Sequence, residues 1–271
     1  MTLLSNANFF YLGLALTIFG FIKRNDVPTQ LDVLPILDRQ PIQTPTEAKP
    51  FDILKNGHRY QVTPRFDYDM VGLVVSARNF DPDIGMHARS NDALNVSDLC
   101  VVWQDLADQS VLAQFEFYSG PFYCRVSGKQ PLDYAGFDWT QLSNNHLLTE
   151  QPMLGQALRN LKVGDQIRLK GMLVDYGIEG RQIRATSTTR EDEGNGACES
   201  IYVTDLEVLV QSPSLYRTIM WSGLAVLMLS IGYWLWVPVK RRRKSRVARR
   251  IERASESTPE AQNDPLQDQQ L

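Results

Sequence analysis

Cys198 and His146 are the residues of this 271-residue chain whose types suit covalent chemistry. A thiol becomes a nucleophile when a nearby base favours its thiolate. The chain holds only three histidines, His58, His87 and His146. His146 sits in Leu142-Ser143-Asn144-Asn145-His146-Leu147, among polar amides, and is the best base for Cys198. Asp105 or Asn144 would then orient the ring. The competing reading is a structural histidine, because two leucines follow it and no spacing demands a dyad.

The densest polar pattern is Thr189-Arg190-Glu191-Asp192-Glu193-Gly194-Asn195-Gly196-Ala197-Cys198-Glu199. Asn195-Gly196 reads as a tight hairpin turn, supplying positive φ. Arg190, Asp192, Asn195 and Glu199 are the candidate binding residues of that loop. Asp192, Glu193, Asn195 and Glu199 also offer oxygen ligands to calcium, but their spacing matches no EF-hand loop. The histidines are spread over 89 positions with no metal-ligand spacing. No phosphate loop, nucleophile elbow or zinc-protease helix is present. The expectation is therefore no metal and no cofactor.

Cys100, Cys124 and Cys198 allow one disulfide and one leftover thiol in an oxidising compartment. Cys100 and Cys124 lie in apolar segments and also suit small core positions. Which two pair stays open. Asn95-Val96-Ser97 is a glycosylation sequon, relevant only to a eukaryotic host.

Two apolar stretches must position this middle region. Ile219 to Val237 holds no charge over 19 residues, with Trp221 near one end and Tyr233, Trp234 and Trp236 at the other. That length and those aromatic ends predict a membrane-spanning helix over 217–239. Leu3 to Ile22 is diluted by Ser5, Asn6 and Asn8, and lacks a basic start or a small-residue cleavage site. It predicts an uncleaved signal-anchor over 1–24 rather than a removed signal. Gly13 and Gly20 are seven apart, as are Gly223 and Ser230, a spacing that lets helices approach closely.

Charge sets the orientation. Residues 240–271 carry nine Lys/Arg, against Lys23, Arg24 and Arg217 on the other side of the spans. The positive-inside rule puts both termini in the cytoplasm and 25–216 outside. Segment 25–239 carries 17 Lys/Arg and 26 Asp/Glu, a net of −9, so nucleic acid is not an expected partner. The tail, 240–271, has a net of +4 and suits anionic headgroups. After Arg253 it has too few apolar residues to fold and reads as disordered.

Residues 25–50 hold Pro28, Pro35, Pro41, Pro45 and Pro50 and read as an extended stalk. Leu31, Val33, Leu34, Ile36 and Leu37 would be costly to expose there, so part of it is expected to lie along the domain or another chain. Residues 51–212 are long enough for one domain with its own core. Strand patterns cover 72–77, 99–103, 115–118, 122–126, 166–176, 182–189 and 200–210. Gly171 marks a bend or bulge in the fifth. Pro152 to Leu161 has helical periodicity, with Thr149 as a cap. Early strands, one helix, then a long strand and hairpin predict a mainly β fold. The expected form is an OB-like β-barrel with one packed helix, flanked by two transmembrane helices. The alternative is a β-sandwich.

Ser143-Asn144-Asn145-His146-Leu147 and Thr189 to Glu199 resemble segments of a family of bacterial membrane-anchored proteins of unassigned function. The resemblance implies a bacterial inner membrane and a periplasmic domain. It supplies no activity and no catalytic residue.

The expected function is a membrane-anchored periplasmic binding or scaffold protein. It would dock a protein or envelope polymer, or form part of a membrane complex. Its partners are then the lipid bilayer and a membrane or periplasmic protein, with no nucleic acid and no small-molecule cofactor. The alternative is a thiol-dependent envelope enzyme using Cys198 and His146.

Overall fold

Strict alternation builds the longest strand. Tyr60, Val62, Pro64, Phe66, Tyr68 and Met70 alternate with Arg59, Gln61, Thr63, Arg65, Asp67 and Asp69. A computed structural model describes residues 3–81, 89, 91–120, 123–132, 135–189 and 198–256. In it this alternation forms the 22-residue strand β3, His58–Asn79. Successive side chains point to opposite faces, so one face is apolar. Pro64 is tolerated because the β3 register slips between Pro64 and Phe66.

The chain divides into two compact units, Lys23–Leu215 and Met1–Ile22 with Tyr216–Leu271. The first is mainly β. Its strands are β1 (Ile42–Pro45), β2 (Phe51–Lys55), β3, β4 (Asn95–Val102), β5 (Phe115–Gly120), β6 (Tyr123–Gly128), β7 (Leu142–Leu148), β8 (Gln166–Ile178), β9 (Arg181–Arg184) and β10 (Glu199–Val210). Eight of them form one mixed sheet in the order β1-β3-β4-β7-β10-β8-β9, with β2 added to β3. β3 also pairs with β8, so β3, β4, β7, β10 and β8 close into a ring. Closure uses the length of β3: residues 60–73 pair with β8 and residues 73–79 with β4. β7 and β10 are the parallel pair.

The inside of the ring is an apolar core that includes Met70, Val74, Leu99, Val101, Leu147, Ile167, Leu169 and Ile201. The helix Pro152–Asn160 turns Leu158 into this core. Its boundaries agree with the sequence reading, but its cap does not. The N-cap is Gln151, which makes no side-chain cap hydrogen bond. The Thr149 hydroxyl instead accepts from the Gln151 N–H at 3.2 Å. Gly171 lies on β8 opposite Tyr68 of β3 and Val203 of β10. A β-carbon there would come within 2.2 Å of the Tyr202 carbonyl. The expected bulge is not in β8 at Gly171: the register slips on the neighbouring β10, between Val203 and Asp205.

A second apolar layer covers part of the outer face. It joins Val71, Leu73, Val75, Cys100 and Val102 to Leu106, Leu112, Phe115 and Phe137. The β5–β6 hairpin belongs to this layer and is bonded to the ring by Cys100–Cys124, with Cα atoms 6.0 Å apart. Closing 24 residues with one bridge stabilises by roughly 3 kcal/mol in the chain-entropy picture. Residues 25–50 are not a free stalk. Val27, Leu31, Val33 and Leu34 pack on this layer, Leu37 is buried, and β1 pairs with β3. Their apolar side chains gain more on the sheet than in water.

In the second unit the helices are Leu3–Lys23 and Leu215–Glu256. Small residues let them touch. A β-carbon at Gly13 would lie 2.7 Å from the Leu227 nitrogen, and one at Gly223 2.6 Å from the Thr17 nitrogen. The Ser230 hydroxyl lies 2.9 Å from both the carbonyl and the side-chain oxygen of Asn6. Phe10 stacks on Trp234 at 5.2 Å. One described stretch, Leu215–Trp236, is long and apolar enough to cross a membrane. The last helix runs on to Glu256, so the described basic residues after 240 are helical rather than a loose tail. The predicted disorder from 257 on lies outside the described residues.

Gly171→Val should destabilise the domain by about 1–3 kcal/mol, because the β10 backbone at Tyr202 and Val203 must move. Gly232→Ala, where a β-carbon meets nothing within 4 Å, should be neutral. Thermal unfolding of the two variants checks this.

Candidate functional site

The polar residues of this chain converge on the outer face of three adjacent ring strands. β4 and β7 are antiparallel, with Asp98 opposite His146 and Cys100 opposite Asn144. β7 and β10 are parallel, with Ser200 opposite His146. Side chains two apart share a face. Asp98, Cys100, Asn144, His146, Cys198 and Ser200 therefore lie on one face. Glu199 points the other way, into the ring.

His146 is at the centre and is 0% exposed, as is Asp98. Its Nδ1 lies 2.6 Å from Asp98 Oδ1. The Asn95 side-chain amide donates to the same oxygen at 3.0 Å. On the far side of the ring, the Arg184 guanidinium from β9 lies 3.0 Å from Nε2. Arginine can only donate, so this contact holds while His146 is neutral, with its proton on Nδ1 facing Asp98. The Cys198 thiol is within hydrogen-bonding reach of the same imidazole. The Asn144 amide donates to Cys198 Sγ at 3.2 Å. Cys198 is the free cysteine and is 8% exposed.

Two opposing effects set the protonation of His146. Burial is the largest, and it drives the imidazole toward its neutral form. Hydrogen bonds to Asp98 and Cys198, and the Asp98 charge, favour the cation, while the Arg184 charge opposes it. The balance lies above the ordinary histidine value. Beyond Asp98 the network continues. Asp92 accepts from the Tyr176 hydroxyl at 2.8 Å and from the Asn95 N–H at 3.3 Å. Burial first, and the Asp92 charge next, push the Tyr176 hydroxyl well up.

The structure thus brings Cys198 and His146 together, as the dyad reading required. It replaces the expected orienting group. Asp98 holds the ring; Asn144 contacts the sulfur, and Asp105 lies in a short helical turn, Gln104–Ala107, away from it. Of the loop residues, Arg190, Asp192 and Asn195 lie outside the described residues, as do Glu193 and the Asn195-Gly196 turn. Glu199 is buried, 2.5 Å from the Ser143 hydroxyl, and offers nothing to solvent. No group of three potential metal ligands occurs among the described residues. Asn95 is buried and bonded to Asp98, so it is not open to a glycan.

Asp98 and Arg184 were missed by the sequence reading. Asp98 follows the sequon and falls just before the strand read at 99–103, where nothing local marks it as part of that strand. Arg184 is in the predicted 182–189 strand, but nothing local distinguishes it from an exposed arginine.

Of the open clefts elsewhere on this unit, two differ most in lining. One of about 260 Å³ is lined by Arg65, Asp175, Arg181 and neighbours on β3, β8 and β9. The other, about 580 Å³, is lined by Val27, Leu112, Phe115, Phe117 and Tyr118 among others. No family model, curated protein or solved structure matches this chain.

The raised His146 value carries a sign. Stability from its partners is fully present below the unfolded value of about 6.5 and is lost as pH rises through the native value. The melting-temperature advantage of the wild type over His146→Gln should therefore shrink above pH 6.5. Paired melts across pH 5.5 to 9 measure it.

Proposed function

We propose that this chain is a membrane-anchored binding or scaffold protein of a bacterial inner membrane. Both terminal helices span the bilayer, both termini are cytoplasmic, and residues 25–216 form a periplasmic OB-like domain that docks a protein partner. Several observations support the membrane part. Leu215–Trp236 has the length and composition of a span. The first helix meets it through Gly13, Gly223 and Ser230, the small-residue contact common between spans. The nine Lys/Arg after residue 239 favour a cytoplasmic end. A disulfide at Cys100–Cys124 suits an oxidising exterior. The resemblance of the Ser143–Leu147 and Thr189–Glu199 segments points the same way.

The five-stranded ring with a helix between its third and fourth strands fits the OB arrangement. In that arrangement the outer face of the second and third strands is the usual ligand platform. Here those strands are β4 and β7, and every residue of β4 is buried. An acidic domain with its platform covered is poorly suited to nucleic acid. The observation that carries the docking reading is the covering hairpin. Tyr118 and Tyr123 project from β5 and β6 at 55% and 44% exposure, with ring centroids 6.3 Å apart. Rigid aromatic anchors on a tethered hairpin are the kind of residue that carries binding energy.

A membrane-impermeant crosslinker added to cells with a permeabilised outer membrane tests this reading. It should join the chain to a defined protein. Tyr118→Ser with Tyr123→Ser should lower the yield about 30-fold, the scale of a 2 kcal/mol hot spot, without changing the melting temperature. Crosslinking only after cell breakage would refute the topology. Yield unchanged by the double variant, or transfer to an envelope polymer alone, would refute protein docking by the hairpin.

A further inference from the structure

The docking reading makes no use of the buried cluster on β4, β7 and β10. Four observations there point to chemistry. His146 has a carboxylate on Nδ1, at 2.6 Å from Asp98, which fixes the ring and its tautomer. Cys198 is the free thiol, beside that ring, and Asn144 donates an N–H to its sulfur at 3.2 Å. A donor to sulfur stabilises the anion over the thiol. Finally, the Ser200 hydroxyl is 0% exposed, and among the described residues it has no hydrogen-bond partner. Ser200 lies opposite His146 in register and two residues from Cys198, on the same face. Burying a hydroxyl without a partner costs about 1–3 kcal/mol. An oxygen of a bound ligand would remove that cost.

We propose that Cys198 is a nucleophile for acyl transfer, with His146 as its base, Asp98 as the residue that positions His146, and Ser200 as donor to the acyl oxygen. The substrate class is an ester or thioester with a slim acyl group, since Cys198 is only 8% exposed. With the Nδ1 proton facing Asp98, Nε2 is the only basic ring nitrogen. The Cys198 proton moves to Nε2, and Arg184 gives up its hydrogen bond there. The thiolate pair attacks the carbonyl carbon, the S–C bond forms, and the π pair moves to the oxygen held by Ser200. That pair returns, the bond to the alcohol or thiol breaks, and the leaving group takes the proton from His146. Water then cleaves the acyl-cysteine by the same route, giving a carboxylic acid and restoring the thiol.

The charged and titratable groups facing His146 are Asp98 on β4, Arg184 on β9 and Cys198 at the head of β10, with Asp92 and Tyr176 beyond Asp98. The test uses the full chain in detergent and replaces only one of these groups at a time. With Cys100 and Cys124 bridged, Cys198 is the one thiol present.

Alkylation by iodoacetamide is followed against pH by mass spectrometry. The wild type should be labelled at pH 7. His146→Gln and Asp98→Asn should slow labelling at pH 7 at least 10-fold, within the range of a lost general base. Asp98→Asn keeps the side-chain shape and carries the comparison where His146→Gln does not fold. With p-nitrophenyl acetate, the wild type should acquire one acetyl group on Cys198. Ser200→Ala should slow that acylation roughly 100-fold and leave iodoacetamide labelling unchanged. A native Cys198 that resists labelling, or labelling equally fast in all variants, would overturn the proposal. So would equal effects of Ser200→Ala on both reagents.

Discussion

The contact between Asp98 and His146 is the constraint around which this domain is arranged. Both side chains are fully buried, and a carboxylate taken out of water must be paired or hydrogen-bonded. Asp98 has its partners through two register choices. β4 sets it opposite His146, and Asn95, the first residue of β4, aims its amide at the same oxygen. A slip of one residue in either strand would put that strand's group on the wrong face, drive it into the apolar core and leave its partner buried and unpaired. The polar pair thus specifies how β4 and β7 meet, which the apolar residues around it do less sharply.

The rest of the unit closes over this contact. The inner face of the ring is filled by large apolar side chains, so the polar face must be the outer one. The outer face is shared by three structures. The β5–β6 hairpin, pinned by Cys100–Cys124, covers one side. Leu94, Tyr60 and Tyr176 pack as a separate apolar cluster on the other. β9 brings Arg184 to Nε2 from a third direction. Arg184 can donate to the imidazole only while the ring is neutral, whereas Asp98 and Cys198 favour the cation. Proton uptake by His146 and its hold on Arg184 are therefore opposed.

What the residues revealed in advance follows the same physics. Strands with one apolar face and one wet face were legible: β8 and β10 appear within a few residues of their true ends. The helix at 152–160 was legible because its apolar stripe has period 3.6. β4 was legible only where it is apolar, and β7 was not read as a strand. Asn95 to Asp98, and Ser143 to His146, look like loop sequence because their outward side chains are polar, yet all are buried. The first half of β3 was missed although its alternation from Tyr60 to Met70 is regular, since Pro64 argues against a strand until a bulge is known. Residues 25–50 were read as a stalk from their prolines, but Leu31, Leu34 and Leu37 outweigh them by packing on the sheet. Cys198 and His146 were singled out by residue type, as the alternative to a structural histidine. Asp98 was not, because 48 residues separate it from His146 and only the cross-strand register joins them.

A double-mutant cycle tests that central contact most directly. Asp98→Asn, His146→Gln and the double variant are melted as full-length protein in detergent at pH 6. Groups that share one buried charged hydrogen bond should couple, with a cycle energy of roughly 1.5–3 kcal/mol. Losses that simply add, within about 0.5 kcal/mol, would contradict the account.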